Sequence, residues 1–180
     1  GTGLKNIPSP TRYIWADKRK VSKWKKKIDA QQKPLIGLAW EGNPLHKNDH
    51  NRSISLAELI PHLPTQYKYI GLQKDIRKPN LVTLKKNTMI NNLVANSVTM
   101  DDTAAIIENL DIVISVDTSI AHLSAAMGKP TWVLLPLVPD WRWLLNRSSS
   151  PWYKSIKLFR QKKRGNWEEV FKELNKKLNV

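Results

Sequence analysis

Residues 111–135 read Asp111-Ile112-Val113-Ile114-Ser115-Val116-Asp117-Thr118-Ser119-Ile120-Ala121-His122-Leu123-Ser124-Ala125-Ala126-Met127-Gly128-Lys129-Pro130-Thr131-Trp132-Val133-Leu134-Leu135. A strand-sized apolar run passes directly into a stretch of small residues, and Gly128 and Pro130 close that stretch before a second apolar run. Continuous apolar runs suit parallel strands buried on both faces, and the segment between them suits a crossover helix ended by glycine. The first amides of that helix then face outward at the carboxyl edge of the sheet, where open α/β sheets bind ligands. Free amides and the positive end of a helix dipole suit a phosphate. The Thr118 and Ser119 hydroxyls add donors, and His122 falls on the same face one turn deeper. The competing reading is ordinary capping by Asp117 and Thr118, with His122 a satisfied half-buried side chain.

Working outward, the same alternation continues in both directions. Asp17 caps a helix to about Ile28, and Leu35–Trp40 is a buried strand followed by a polar loop from Glu41 to Ser53. A helix is expected over Ser55–His62, a strand over Tyr67–Leu72, and a helix from Asp102 to Asn109. Residues 74–100 are ambiguous and are read as two short strands, near Leu81–Leu84 and Asn92–Ala95. Ile156–Phe159 is a further strand, and Trp167–Leu178 a closing amphipathic helix. The fold class is therefore α/β, a parallel sheet with helices on both faces. Residues 1–33 form a lead-in segment and basic helix, and residues 34–180 the lobe that carries the chemistry.

Composition narrows the function. The chain has 180 residues and no Cys, which excludes disulfide frameworks, thiolate catalysis and Cys-based zinc sites. No run reaches the roughly 20 apolar residues of a membrane span. The net charge of +15 suggests a nucleic-acid binder, but its distribution does not. Residues 1–33 carry +8 and residues 151–180 carry +6, which leaves +1 for the central 117 residues that hold the motifs. The Lys23–Lys27 run reads first as a solvated helix face, and alternatively as a contact for an anionic partner or lipid headgroups. No nucleic-acid partner is expected. Gly-x-Gly-x-x-Gly and the Walker loop are both missing, so the expected phosphate site is of another kind. His46-Lys47-Asn48-Asp49-His50 brings two His and an Asp together, but a polar loop lacks the rigid frame a metal site needs, and no metal is expected there.

Asp117-Thr118-Ser119-Ile120-Ala121-His122-Leu123 with Gly128-Lys129-Pro130 resembles the signature of glycosyltransferase family 9, which includes the lipopolysaccharide heptosyltransferases. Gly37-Leu38-Ala39-Trp40-Glu41-Gly42-Asn43-Pro44, Asn51-Arg52-Ser53-Ile54, Gly71-Leu72-Gln73, Asp102-Thr103-Ala104-Ala105 and Asp140-Trp141-Arg142-Trp143 resemble the branch of that family fused to tetratricopeptide repeats. The resemblance implies one Rossmann-like lobe of a two-lobed GT-B enzyme, the lobe that binds the nucleotide-sugar donor. The acceptor-binding lobe, which would supply the general base, is expected before residue 1, with tetratricopeptide repeats as a further partner. A cytoplasmic setting is expected, at most peripheral to the inner face of a membrane.

Carried over by position, the resemblance implies that Thr118, Ser119 and the Ile120 amide bind the donor diphosphate. Asp117 would orient the turn and His122 would reach a phosphate. Arg52 is the better match, and Lys47 the weaker, for a donor-contacting Lys of heptosyltransferases. Gln73 stands where the family holds a ribose-contacting carboxylate, and Asp102 and Thr103 fall near the base pocket, where helix capping explains them equally well. Asp140–Trp143 is read either as an aromatic wall or as core packing. No Asp-x-Asp occurs in the chain, so no metal cofactor is expected and the implied reaction is metal-independent, inverting glycosyl transfer. Two other readings compete: a non-catalytic nucleotide-binding or scaffold domain, and a basic binder of nucleic acid or membrane.

Overall fold

The structure, a computed structural model, describes residues 1–4, 6–28, 34–94 and 99–179. Among these residues six strands form one sheet: β1 (Leu35–Ala39), β2 (Lys68–Gly71), β3 (Ile90–Asn92), β4 (Ile112–Val116), β5 (Thr131–Leu135) and β6 (Ile156–Arg160). All adjacent pairs are parallel, in the order β3-β2-β1-β4-β5-β6. The order reverses between β1 and β4, which opens a crevice above the carboxyl ends of those two strands.

Side-chain alternation along the strands builds a core on each face. On one face Ile36, Leu38, Tyr69, Ile114, Leu134 and Phe159 pack beneath the short helix α3 (Leu56–Leu59) and the closing helix α7 (Glu168–Leu178), whose Val170, Phe171 and Leu174 are buried. On the other, Leu35, Ile70, Leu72 and Val113 meet α5 (Met100–Glu108), while Val133, Leu135 and Leu158 meet α6 (Ser119–Ala126). Helices therefore cover both faces of the parallel sheet, a Rossmann-like α/β arrangement, as the pattern predicts.

Helix α1 (Lys18–Lys27) starts at Asp17, whose carboxylate accepts from the Lys20 amide, and it lies over α5 with Trp24 buried. The lead-in before it is tied to the lobe, since the Tyr13 and Ile14 amides both donate to the Ala126 carbonyl. Gly128 makes that approach possible: its φ is +75°, and a Cβ there would lie 2.8 Å from the Thr11 carbonyl oxygen. None of the described helices is long and apolar enough to cross a membrane.

The region from 74 to 100 departs from expectation. Leu81–Leu84 lies within a helix, α4 (Lys78–Lys86), not a strand. Pro79 in the first helical turn favours that choice. Asn80 then fixes the helix in place: its Oδ1 accepts from the Leu56 amide and its Nδ2 donates to Glu41. The second expected strand is β3, shifted to Ile90–Asn92, and Ala95 lies outside the described residues. The loop from Glu41 to Ser53 contains one further helical turn, α2 (Asp49–Arg52).

Candidate functional site

The site forms where β4 turns into α6. Thr118 is the N-cap residue in extended conformation, no side chain caps the helix, and Ser119 is exposed. The Ser115 hydroxyl donates to the Val116 carbonyl at 2.7 Å, so the 3.0 Å contact between Ser115 and Thr118 uses the Thr118 proton. The donors available to a ligand at this turn are therefore the first amides of α6 and the Ser119 hydroxyl. The small residues Ala121, Ser124, Ala125 and Ala126 are buried, which seats the helix closely against the sheet.

A cleft of about 380 Å³ opens beside this turn, above the ends of β1, β2 and β4. Thr118, Ser119, Ile120, Arg52, Gln73 and Thr103 all line it. A second cavity of about 450 Å³ lies on the other side of the same turn, lined by Asp117, His122, His46, Asp140 and Arg142 and sharing Arg52, Thr118 and Ser119 with the first. The turn thus stands between two hollows that share these lining residues.

Arg52 reaches the turn from α2. Its Nη1 donates to the Asp117 carbonyl at 2.7 Å and its Nε to Asp49 Oδ1 at 3.2 Å. Asp49 is 3% exposed and also accepts from Ser53 Oγ at 3.0 Å and from Arg77. Arg77 Nε lies 3.4 Å from Glu41 Oε2, and its backbone amide donates to Glu41 Oε1 at 3.1 Å. Two buried carboxylates and two guanidinium groups thereby interlock and hold the Arg52 head against the turn, each charge meeting an opposite one. Gly42 leaves room for the arrangement, because a Cβ there would fall 2.5 Å from Asp49 and 2.6 Å from Arg52. Lys47 is exposed and lines neither cavity.

His122 stands on the opposite flank. Its ring stacks on the fully buried Trp143, with centroids 5.0 Å apart, and its Nδ1 lies 3.0 Å from the Tyr153 hydroxyl. Burial lowers its pKa below the ordinary 6.5, partly offset by Asp117, so the ring is neutral at pH 7. Burial, together with a hydrogen bond to Tyr13, raises the Tyr153 phenol well above its usual pKa, and it stays protonated. The Tyr153 hydroxyl can donate to Nδ1, which puts the ring proton on Nε2, or accept from it; Nε2 lies 3.9 Å from Asp117 Oδ1, beyond hydrogen-bond reach.

The remaining expected residues divide. Gln73 is 8% exposed and lines the first cleft, but its amide is engaged by the chain: Oε1 accepts from the Glu41 amide and Nε2 donates to the Asp75 carbonyl. Asp102 is committed to packing. It accepts from Thr99 and from the Trp24 indole, and those bonds, with Lys20 nearby, hold its pKa down to about 2. It lines neither cavity, whereas its neighbour Thr103 lines the first. The pair Trp141 and Trp143 splits between both readings: Trp143 is core, and Trp141 is 65% exposed under the Arg142 guanidinium. Among the described residues no group of three His, Asp or Glu side chains converges as a metal set would.

Sequence reasoning gave Arg77 no place, met Glu41 and Tyr153 only inside phrases of the family resemblance, and weighed Asp49 only as a metal ligand. The spacing of Asp49 and Arg52, three apart on one helical turn, is the one local signal that they pair. Nothing local connects them to Arg77.

Fold and site together define a Rossmann-like α/β lobe with an uncapped helix start at the point where the strand order reverses. A model of glycosyltransferase family 9 (heptosyltransferase) matches residues 68–138. The chain is 24% identical over 170 residues to protein FlbA of Caulobacter vibrioides, which covers 90% of this chain and 28% of that protein. Among solved structures it is similar to a glycosyl transferase family 9 protein from Veillonella parvula, with a TM-score of 0.58 at 11% identity, covering 90% of this chain and 46% of that one. It is also similar to the Escherichia coli ADP-heptose lipopolysaccharide heptosyltransferase II, with a TM-score of 0.57 at 18% identity over 96% of this chain and 54% of that one. The chain therefore spans about half the length of these solved proteins, and less of the curated relative.

Proposed function

We propose that this chain binds a nucleotide-sugar donor and acts as the donor lobe of a glycosyltransferase. The observation that carries the reading is the uncapped start of α6, open at the sheet's switch point and flanked by Arg52 and His122. The match to the glycosyltransferase family 9 model over residues 68–138 supports it, since that span includes the turn and His122.

In this reading the Ser119 and Ile120 amides and the Ser119 hydroxyl receive the diphosphate, and His122 Nε2–H adds a fourth donor. Arg52 supplies positive charge from the opposite side while holding the Asp117 carbonyl. Thr103 and Gln73 lie along the first cleft, on the nucleoside side. As the sugar–oxygen bond breaks, negative charge grows on the leaving diphosphate. Preorganised donors of this kind are each worth roughly 2.7–4 kcal/mol in comparable sites. The sequence has no Asp-x-Asp, so the reading assigns this stabilisation to the chain's own donors, with inversion at the transferred carbon. The general base is assigned to an acceptor-binding lobe outside this chain.

The test is a thermal-shift screen of the 180-residue chain against ADP, UDP and GDP and their sugars, with and without EDTA. One base series is expected to raise the melting temperature progressively with ligand concentration, unaffected by EDTA. A flat response to every nucleotide contradicts donor binding, and a shift abolished by EDTA contradicts metal independence.

A further inference from the structure

Beyond His122 lies a third hollow, of about 580 Å³, between the lead-in segment and the loop that follows β5. Its walls include Tyr13, His122, Trp141, Arg142, Trp152 and Tyr153. The rings form a defined surface: Tyr13 and Tyr153 are stacked with centroids 6.5 Å apart, and Trp141 meets Trp152 edge-on at 6.1 Å, with the rings at 89°. The Trp152 indole donates to the Arg142 carbonyl at 3.0 Å, and the Arg142 guanidinium lies 4.7 Å from the Trp141 ring centre, pinned by Asp140 at 2.9 Å. Trp141 is nevertheless 65% exposed, so most of its ring surface is open to the hollow and solvent. With Tyr13, Trp152 and Tyr153 beside it, this ring belongs to a contiguous aromatic patch, the kind of surface that marks a binding site.

An aromatic face carries negative quadrupole density and attracts weakly positive C–H groups. A sugar ring presents a flat face of such C–H groups, ringed by hydroxyls that need hydrogen-bond partners. Arg142 supplies donors, and the Tyr13 and Tyr153 phenols, already hydrogen-bonded to each other and to His122, keep lone pairs that can accept. A flat apolar wall with a few polar groups at its edge is the composition of a small-molecule pocket, and the volume falls in the usual range. The position matters as much as the lining. His122 and Arg142 line both this hollow and the cavity at the helix start, so the two adjoin at these side chains.

We infer that the Tyr13–Trp141–Trp152–Tyr153 hollow is a saccharide-binding subsite that receives a pyranose ring beside His122. The inference rests on the proposed donor reading for its link to the diphosphate, but the ring chemistry stands apart from it. A pyranose carried on the nucleotide and a free acceptor saccharide share the chemistry that fits these walls, and the test separates the two.

The experiment is two-dimensional ¹⁵N spectroscopy of the 180-residue chain, with the two indole signals assigned through Trp141→Phe and Trp152→Phe. Three probes are titrated: nucleoside diphosphates (ADP, UDP and GDP), the corresponding nucleotide hexoses, and methyl pyranosides at millimolar concentration. If the pyranose arrives on the donor, the nucleotide hexose moves both indole signals, the bare diphosphate moves only the Ser119 and Ile120 amides, and Trp141→Ala weakens the nucleotide hexose alone by about tenfold. If it arrives as an acceptor, methyl pyranosides move the indole signals without any nucleotide. Should a diphosphate shift the Ser119 amide while no sugar-bearing probe moves either indole, the subsite is overturned and the donor reading stands. Should no diphosphate shift that amide, the donor reading fails, and indoles that also ignore methyl pyranosides overturn the subsite independently.

Discussion

On the β1–β2 side of the Thr118–Ile120 turn, Glu41 and Asp49 are buried against Arg77 and Arg52; on the β5–β6 side, His122 lies between Trp143 and Tyr153. One flank is held by charge and the other by aromatic packing. In the proposed donor reading, the difference follows from what each would present to a diphosphate. A guanidinium facing a diphosphate has to be aimed, and its cost of burial is offset only when carboxylates of fixed position surround it. A neutral imidazole needs its ring held in place, which a stacked indole and a phenol hydroxyl accomplish without introducing charge. A ligand bound as proposed would meet a permanent cation on one side and a neutral imidazole on the other.

The largest expected effect breaks the aromatic flank. Trp143→Ala removes a fully buried indole and should cost about 4 kcal/mol in urea unfolding. Asp49→Asn attacks the charged flank and should cost about 3 kcal/mol by the same measurement, at the lower end for a broken buried pair because the Arg77 side chain is 37% exposed. A loss below 1 kcal/mol would mean that Asp49 does not organise this flank. Arg52→Met keeps the stem and removes the aimed charge. It should weaken nucleoside diphosphate binding about tenfold or more in calorimetric titration, with Asp49 still paired to Arg77.

A smaller effect separates the flanks by pH. The His122 pKa is lowered in the folded state, so the unfolded chain binds the proton more readily, and stability falls as pH drops below about 6.5 toward the folded value. His122→Gln should flatten that part of the stability profile between pH 7 and pH 5, whereas Arg52→Met should leave it in place. The smallest effect lies outside both flanks. Reversing Lys23, Lys25 and Lys26 to Glu on the exposed face of α1 should change nucleotide affinity less than about twofold, since that helix packs over α5 and lines neither cavity.

The sheet could be read from the sequence because its strands are continuous apolar runs with clear stops. Thr131–Leu135 coincides with the expected strand, and the Asp117–Ser119 turn lies where the composition changes from strand to helix. Leu81–Leu84 misled because Leu-Val-Thr-Leu has the β-branched character of a strand. Its helical state is fixed by Pro79 and by the contacts of Asn80 with Leu56 and Glu41, which are distant in sequence. The site was legible along one segment only. Residues 117–122 sit together because they are neighbours in the chain. Tyr153 reaches His122 across 31 residues and Arg77 reaches Asp49 across 28, through sheet topology that no local pattern encodes. Asp102 shows the reverse: its place in a recognisable phrase suggested a ligand contact, while its carboxylate is taken up by Trp24 and Thr99.

The central claim is that the first amides of α6 receive a diphosphate, and Ser119→Pro tests it most directly. Proline is favoured at the first helical position, and Thr118, at φ −141° and ψ 172°, already has the extended geometry that precedes proline, so the helix should be retained while the Ser119 amide and hydroxyl are lost. The account predicts an unchanged melting temperature without ligand, and loss of most of the stabilisation that the preferred nucleoside diphosphate gives the unaltered chain. A variant that melts normally and keeps the full ligand-induced shift would contradict it.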